Sequence, residues 1–296
     1  MLPRPAAAPS RGKGMQLGRK QADSVMIETI KADEGIVEAS TPLSAGATST
    51  TPAAQTESVH LTIEEKISVT ANRDGGLQSM EVNGSMTLRT VDPNRAHLKV
   101  AMKVIEDPNV QFKTHPNVDR QLFSERGVLA LKNATRPFPV NQSLGILKWR
   151  FMSKDENAIP LAINCWPSPS GTGSCDVNIE YELQNSRLEL RDVIVSVPFP
   201  GSTPPTIGDV EGHYQIDRQH RTIEWQMPII DQSNRSGVLE FSVQSEDVGG
   251  FFPIKVSFTS ARPYCDLEVL DVTNLEGAPV PFSKEGALST EEYCVA

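Results

Sequence analysis

From residue 57 onward, apolar residues recur at every second position. Val59, Leu61, Ile63, Ile67 and Val69 share one parity, and His60, Thr62, Glu64, Lys66, Ser68 and Thr70 share the other. Successive side chains of a strand point to opposite faces, so this period predicts a sheet with one packed and one wet face. A single acidic residue, Glu65, interrupts the packed parity. Asn72-Arg-Asp-Gly-Gly76 reads as a turn, because Asp-Gly is a strong hairpin signal. A second strand then turns Met80, Val82, Met86 and Leu88 inward, and a third, after Asp92-Pro-Asn94, does the same with Leu98, Val100, Met102 and Val104. The three are expected to form an antiparallel meander.

Between Asp107 and Pro139 the pattern loosens, with a turn at Thr114–Asp119 and a short strand at Gly127–Leu131. From Leu144 to Met152 it returns: Leu147, Trp149 and Phe151 point one way, and Lys148, Arg150 and Met152 the other. The most regular stretch is Ile163–Leu183. It holds a Trp166-Pro167 corner, a loop of small residues, and a strand with Val177, Ile179, Tyr181 and Leu183 on one face. Asn178, Glu180 and Glu182 take the other face, and the stretch reads as the handover from one sheet layer to the next. Further strands follow at 188–197, 210–216, 222–227, 238–243 and 251–259, and Asp266–Val272 is expected to finish the sheet. Trp149 and Trp225, each flanked by polar residues, read as core. No segment of 57–296 carries a helical period, so the fold class is all-β, a sandwich in the broad sense.

Residues 1–56 differ in kind. Residues 1–13 are low in complexity and expected to be disordered, and a start inside such a tract points to a fragment. A short helix is expected at about 22–34, capped by Asp23 or Ser24, with Val25, Met26, Ile27 and Ile30 on one side and Gly35 as its stop. Either another protein receives that stripe, or the helix forms only transiently in a linker. Residues 39–56, rich in Ser, Thr, Ala and Pro, read as a flexible spacer.

Composition sharpens this picture. Hydrophobic residues make up 38% of the chain, below the globular average, as a partly unfolded chain would show. The 20 glycines and 22 prolines fall between short apolar runs and favour strands and turns. A net charge of −9 argues against a nucleic-acid partner and against unassisted adhesion to an anionic membrane. Arg4, Arg11, Lys13, Arg19 and Lys20 nevertheless precede the first acid, so the arm is basic. No apolar run reaches bilayer length and the N-terminus has no apolar signal-peptide core. The Asn-x-Ser/Thr triplets at Asn83, Asn133, Asn141 and Asn234 therefore read as chance matches in a cytosolic protein.

Candidate chemistry is sparse. Cys165, Cys175, Cys265 and Cys294 lack CxxC spacing and a paired histidine, so no zinc site is expected. Two readings stay open for them: free thiols of a reducing compartment, or a Cys165–Cys175 bridge. The nucleophile elbow, the P-loop, the dinucleotide glycine fingerprint, HExxH and the EF-hand loop are all missing from the sequence. His115 has no nucleophile near it, His213 and His220 are seven apart, and Glu64-Glu65 and Glu291-Glu292 read as solvated charges. No catalytic, metal or cofactor residue is expected, which leaves a binding or scaffolding role.

Several runs carry a resemblance. They are Glu57-Ser-Val-His-Leu-Thr-Ile-Glu-Glu-Lys-Ile67, Arg73-Asp-Gly-Gly-Leu-Gln-Ser-Met-Glu-Val82, Thr114-His-Pro-Asn-Val118, Leu147-Lys-Trp-Arg150, Asn164-Cys-Trp-Pro-Ser168, Cys175-Asp-Val-Asn-Ile-Glu-Tyr-Glu-Leu-Gln184 and Phe251-Phe-Pro-Ile-Lys-Val-Ser-Phe258. In that order, over about residues 14–296, the chain resembles the coatomer delta-subunit (delta-COP) family, without that family's N-terminal longin-like domain. The resemblance implies a flexible linker with one short helix (1–56) and a mu-homology domain (57–296). The domain would be an elongated two-subdomain β-sandwich, as in the adaptor medium chains, with subdomain B (about 159–250) inserted into subdomain A (about 57–158 and 251–296).

The resemblance also implies function: a non-enzymatic subunit of the COPI coat in retrograde Golgi-to-ER and intra-Golgi transport, in the cytoplasm and peripheral on Golgi membranes and coated vesicles. Its implied partners are other coatomer subunits and acidic Trp-x-Trp peptides of an ER tethering subunit and of an Arf GTPase-activating protein. The membrane would be touched only through the coat, with no cofactor and no nucleic acid. Adaptor medium chains read Tyr-x-x-Φ signals with an Asp on the first strand and a Trp-x-Arg on a late one. Thr62 falls at the Asp position and Gly286–Ala296 holds no Trp-x-Arg, so that pocket is expected to be absent. The missing charge-assisted acceptor would cost a tyrosine hydroxyl about 1.5–3 kcal/mol. A Trp-x-Trp site needs two apolar slots and nearby cations. The expected site is the face bearing Lys148 and Arg150, with Lys132 and Phe138 nearby; the alternative is that this is an ordinary solvated face. Two other functional readings are a mainly structural coat segment and a generic β-sandwich interaction module.

Overall fold

The computed structural model describes residues 57–296 apart from Asp74, Gly75, Val104 and Glu106. The expected linker, its helix at 22–34, the centre of the Asp-Gly turn and the Val104 position lie outside the described residues. The first strands are β1 (Val59–Ala71), β2 (Leu77–Thr90), β3 (Leu98–Lys103) and β4 (Val110–Thr114). One α-helix, α1 (Arg120–Arg126), precedes β5 (Val128–Leu129) and β6 (Ser143–Ser153). Then come β7 (Leu161–Pro169), β8 (Cys175–Leu183), β9 (Leu190–Pro198), β10 (Thr206–Val210), β11 (His213–Asp217), β12 (Thr222–Ile230) and β13 (Ser236–Val243). The chain closes with β14 (Ile254–Ser260), β15 (Glu268–Asn274) and β16 (Phe282–Val295).

These strands form a nine-stranded sheet in the order β11-β12-β9-β14-β16-β1-β2-β6-β4, a four-stranded sheet β10-β13-β8-β7 and a three-stranded sheet β15-β3-β5. The fold is all-β and layered, and the sequence parities are its faces. Odd positions of β1 are buried, as are Leu147, Trp149 and Phe151 of β6. Cys175, Val177, Ile179, Tyr181 and Leu183 of β8 are likewise buried, and the Tyr181 ring meets Trp225 of β12 at 5.3 Å between centroids. That contact packs the four-stranded sheet on one end of the nine-stranded one. The chain passes between these sheets after Ser153 and before Leu161, just ahead of the regular stretch that sequence marks as the handover.

Five expectations need correction. The meander stops at two strands: β3 pairs with β15 and β5, and the free side of β2 is taken by β6. Asp92 turns the chain away by accepting from the Asn94 amide at 2.9 Å, capping a 3-10 turn over Pro93–Arg95. Alternation places a strand but does not name its neighbour.

The sheet does not finish at Val272. The 14-residue β16 follows and lies at the centre of the large sheet, parallel to β1 and antiparallel to β14. Its alternation is broken because Thr290 pairs with Ile67 and Glu292 with Ser68, leaving Glu291 as an extra residue. Such a bulge flips the parity, so Leu288 and Tyr293 face the same core from positions of opposite parity.

A helix exists where none is expected. In α1, Asp119 accepts from the amides of Gln121 and Leu122 at 3.0 and 3.1 Å, and Gly127 ends the helix at φ 66°. One residue, Phe123, is buried, too few for a helical period to show. The strand expected at 210–216 is two strands, β10 and β11, in different sheets, separated at Glu211-Gly212 where Gly212 takes φ 94°.

Finally, Glu65 is not a solvated charge. It is 1% exposed, and its carboxylate accepts from the Trp149 indole Nε1 at 2.8 Å and from the amides of Tyr264 and Cys265. A buried charge persists only with partners of this kind, and these tie β1, β6 and the β14–β15 connection together. Glu64, Glu291 and Glu292 are exposed as expected.

A candidate peptide-binding edge

Lys148 and Arg150 project from the outward face of β6. Lys148 stands opposite Lys113 of β4 and Ser85 of β2, and Arg150 opposite Gln111 and Asn83. The Arg150 guanidinium is bound to Glu81, whose carboxyl it holds below the ordinary range. Lys113 and Lys148 are left without an ion pair among the described residues, and Lys66 of β1 and Arg89 of β2 lie on the same face.

The other two expected residues lie elsewhere. Lys132 follows β5 and donates its ammonium to the Pro116 carbonyl at 2.6 Å. Phe138 is 2% exposed, with its amide on the Ala96 carbonyl at 2.8 Å, so it is a core residue and offers no surface slot. The four residues do not converge on one surface.

An apolar slot does exist close by. β4 is the last strand of the large sheet and pairs with β6 alone. Its Val110 and Phe112 stand opposite Phe151 and Trp149, on the inward face. Helix α1 does not close over them fully. The Phe123 ring meets Phe112 edge-on at 5.6 Å, and a cavity of about 440 Å³ opens beside the pair. Ile105, Pro108, Val110 and Phe112 give it apolar walls, and Arg120 lies at its rim. The same strand turns Gln111 and Lys113 outward. It thus has an apolar groove on one side, cations on the other, and an unpaired backbone edge between them among the described residues. An edge of this kind adds an extended peptide through main-chain hydrogen bonds, with pockets for alternate side chains.

The strand that pairs with β4 is itself held in place. Trp149, opposite Phe112, is pinned by Glu65. Gly84 of β2 makes room for the indole: a Cβ there would lie 2.0 Å from it. Burial pushes the Glu65 carboxyl above its ordinary range despite three donors. Sequence reasoning missed Phe112 and Phe123 because α1 was missed; the Asp119…Gly127 cap pair was the signal that could have found it.

The hydroxyl of Thr62, expected from sequence to stand where the adaptor chains carry an Asp, donates to Glu285 of β16 at 3.0 Å. Nε2 of His60 lies 3.0 Å from the same carboxylate, at ion-pair distance but without hydrogen-bond alignment. The His60 ring is the largest influence holding Glu285 below the usual carboxylate range. The four cysteines are free, three of them buried, so the Cys165–Cys175 bridge is not formed. Burial pushes the Cys165 thiol up to about 12, far from the thiolate needed for nucleophilic chemistry. Among the described residues, no cluster of three or more metal-ligating side chains occurs, and no helix is long and apolar enough to cross a membrane.

Comparison with known proteins bears on the family and the fold. The sequence model of the adaptor complexes medium subunit family matches residues 46–285. Coatomer subunit delta-1 of Oryza sativa subsp. japonica is 35% identical over 98% of this chain and 56% of its own length. Coatomer subunit delta-4 of the same plant is 34% identical over 96% of this chain and 76% of its own length. The chain thus spans about half the length of most of the curated relatives it matches. Among solved structures, the yeast delta-COP-I mu-homology domain complexed with Dsl1 WxWxV peptide is 28% identical, with a TM-score of 0.70 over 82% of this chain and 99% of that one. The chain therefore belongs to the adaptor complexes medium subunit family, within its coatomer delta branch.

Proposed function

We propose that this chain is the linker and mu-homology domain of a non-enzymatic coatomer subunit. It works on the cytoplasmic side of Golgi membranes and coated vesicles, in retrograde Golgi-to-ER and intra-Golgi transport, and it docks tryptophan-based acidic peptides along β4. The observation that supports this most directly is the likeness to a yeast domain complexed with a WxWxV peptide, taken with the groove beside an unpaired strand. Two indoles bury several hundred Å² of apolar surface, more than any other side-chain pair. The groove beside Phe112 and Phe123 accepts one ring, and the extended backbone of the peptide pairs with β4. Alternate residues then face outward, where Lys113 and Lys148 meet the acidic flank.

In this reading, residues 1–56 are a linker whose helix at 22–34 contacts other coatomer subunits. Residues 57–158 and 251–296 form one subdomain and 159–250 the inserted one. The partners are other coatomer subunits and Trp-x-Trp segments of a tethering subunit and of an Arf GTPase-activating protein. Calorimetric titration of a WxWxV peptide into Phe112→Ser and into Lys113→Ser/Lys148→Ser tests the placement. The first should abolish measurable binding and the second should weaken it about tenfold and flatten its salt dependence. Unchanged affinity in both would remove the peptide from β4.

A further inference from the structure

The connection from β5 to β6 carries a loop whose chemistry the peptide edge does not use. Lys132 to Pro137 are all exposed. The loop is anchored at both ends: the Lys132 amide donates to the Asn117 carbonyl at 2.9 Å, and the amide of the buried Phe138 donates to the Ala96 carbonyl at 2.8 Å. Between these anchors the Arg136 amide closes a turn onto the Asn133 carbonyl at 3.0 Å. The triplet Asn133-Ala-Thr135, a chance match for glycosylation, forms the tip of that turn. The Thr135 hydroxyl donates to Asn133 Oδ1 at 2.7 Å, so it is held on the solvent side of the loop.

Charge sets this loop apart. Lys132 lies three places before Thr135 and Arg136 one place after it. From residue 108 to residue 150 there are two acids, Asp119 and Glu125, against seven lysines and arginines, in a chain of net charge −9. Both acids are engaged: Asp119 caps α1, and Glu125 accepts from the Gln121 side chain at 2.8 Å. Among the serines and threonines of the described residues, only Thr135 and Ser153 have a cation three places before them. Ser153 ends β6, is half-buried and accepts from the Asp155 amide at 3.0 Å, and its cation, Arg150, is bound to Glu81. Thr135 alone of the two combines exposure, a turn outside any strand and cations on both sides.

We infer that Thr135 is a phosphoacceptor for a protein kinase that reads basic residues, and that phosphate there opposes the docking of acidic peptides along β4; the second half rests on the function proposed above. A kinase takes its acceptor in an extended segment and reads cations at fixed offsets through acidic pockets. A loop held only at its two ends supplies that segment without breaking a strand. The Thr135 oxygen attacks the γ-phosphorus of ATP, its proton passes to the catalytic aspartate of the kinase, and the bond to the β-phosphate oxygen breaks to release ADP. The product carries close to two negative charges at neutral pH, countered by Lys132 and Arg136. The loop adjoins the end of β4, because the Lys132 ammonium donates to the carbonyl of Pro116, two residues beyond Thr114. A phosphate there repels the acidic flank that Lys113 and Lys148 are placed to meet.

The test incubates the full 296-residue chain with ATP and protein kinase C, which reads basic residues on both sides of its acceptor, and maps the phosphate by peptide mass spectrometry. Phosphate should be found on Thr135 and not on Ser153, and Lys132→Ala/Arg136→Ala should cut its incorporation at Thr135 about tenfold. No phosphate on Thr135, or incorporation unchanged in the double variant, would overturn the acceptor assignment. The phosphorylated chain should bind a WxWxV peptide with an acidic flank about threefold more weakly at low salt, the difference closing as salt is raised. Thr135→Ala taken through the same incubation should keep the wild-type affinity, which controls for phosphate elsewhere on the chain. Equal affinity with and without phosphate on Thr135, in a chain whose binding Phe112→Ser abolishes, would overturn the regulatory half. Binding that Phe112→Ser leaves intact would remove the peptide from β4 and the regulatory half with it, while the labelling still decides the acceptor.

Discussion

The indole of Trp149 and the carboxylate of Glu65 are joined by a 2.8 Å hydrogen bond between residues 84 positions apart. It is a buried contact on the strand that pairs with β4, and it sets the first prediction. Glu65→Ala leaves the indole N–H and two amides without partners, which should cost roughly 2–4 kcal/mol in urea unfolding. Glu65→Gln keeps an acceptor and should cost less. The pH dependence has a definite sign. The folded carboxyl binds its proton more tightly than the unfolded one, whose ordinary value is about 4.5. Glu65 therefore favours folding at low pH and opposes it as pH rises from about 4.5 through its raised folded value. The stability of Glu65→Gln relative to wild type should accordingly improve as pH rises through that window, as thermal melts at successive pH values would record.

Gly84→Ala should be more damaging than its size suggests. Its added Cβ would lie 2.0 Å from the Trp149 ring, which is enclosed and cannot withdraw. Overpacking of this kind costs about 1–3 kcal/mol. Near-ultraviolet circular dichroism should show the indole displaced, and WxWxV affinity should fall because the wall behind Phe112 has moved.

The Glu285 cluster gives the opposite pH sign. Its carboxyl sits below the ordinary range because of His60 and Thr62, so it stabilises the fold above the unfolded carboxylate value and ceases to as pH falls through the folded one. Glu285→Gln should lose about 1 kcal/mol at neutral pH and nothing at strongly acidic pH. Thr62→Asp should destabilise further, since a second carboxylate would lie within 3.0 Å of Glu285. It should create no affinity for Tyr-x-x-Φ peptides, which calorimetry would check.

β16 is central, so its end should matter to both sheets. The Tyr293 hydroxyl, 3% exposed, donates to the Leu161 carbonyl at the start of β7. Tyr293→Phe strands that carbonyl and should cost about 1–2 kcal/mol in denaturant unfolding. Removal of residues 288–296 should prevent folding, because β1 and β14 would then face each other across a missing strand.

Thiol reactivity should follow burial. Cys294 is half-buried while Cys165, Cys175 and Cys265 are buried, so native-state iodoacetamide labelling at pH 8 should modify Cys294 first. Cys165, with its thiol raised to about 12, should stay unmodified until the chain unfolds. Peptide mass spectrometry resolves the order.

Which parts of this protein could be read along the chain follows from the range of the forces involved. Val177, Ile179, Tyr181 and Leu183 alternate because neighbouring side chains of one strand part to opposite faces, a purely local rule. The faces of β1, β2, β6 and β8, the burial of Trp149 and Trp225, and the outward stance of Lys148 and Arg150 were therefore legible. Strand partners were not. β3 carries the same alternation as β2 yet joins β15, some 170 residues on, because pairing depends on which edges the rest of the chain leaves open. β16 was hidden because its bulge at Glu291 shifts the period halfway, and a bulge has meaning only against β1. Glu65 looked like an error in the hydrophobic parity; only the arrival of Trp149, Tyr264 and Cys265 from three distant segments makes its burial tolerable. Phe138 and Phe112 show the same limit from the other side. Both are aromatic residues in the loosely patterned region, and packing around them placed one in the core and the other beside an open groove.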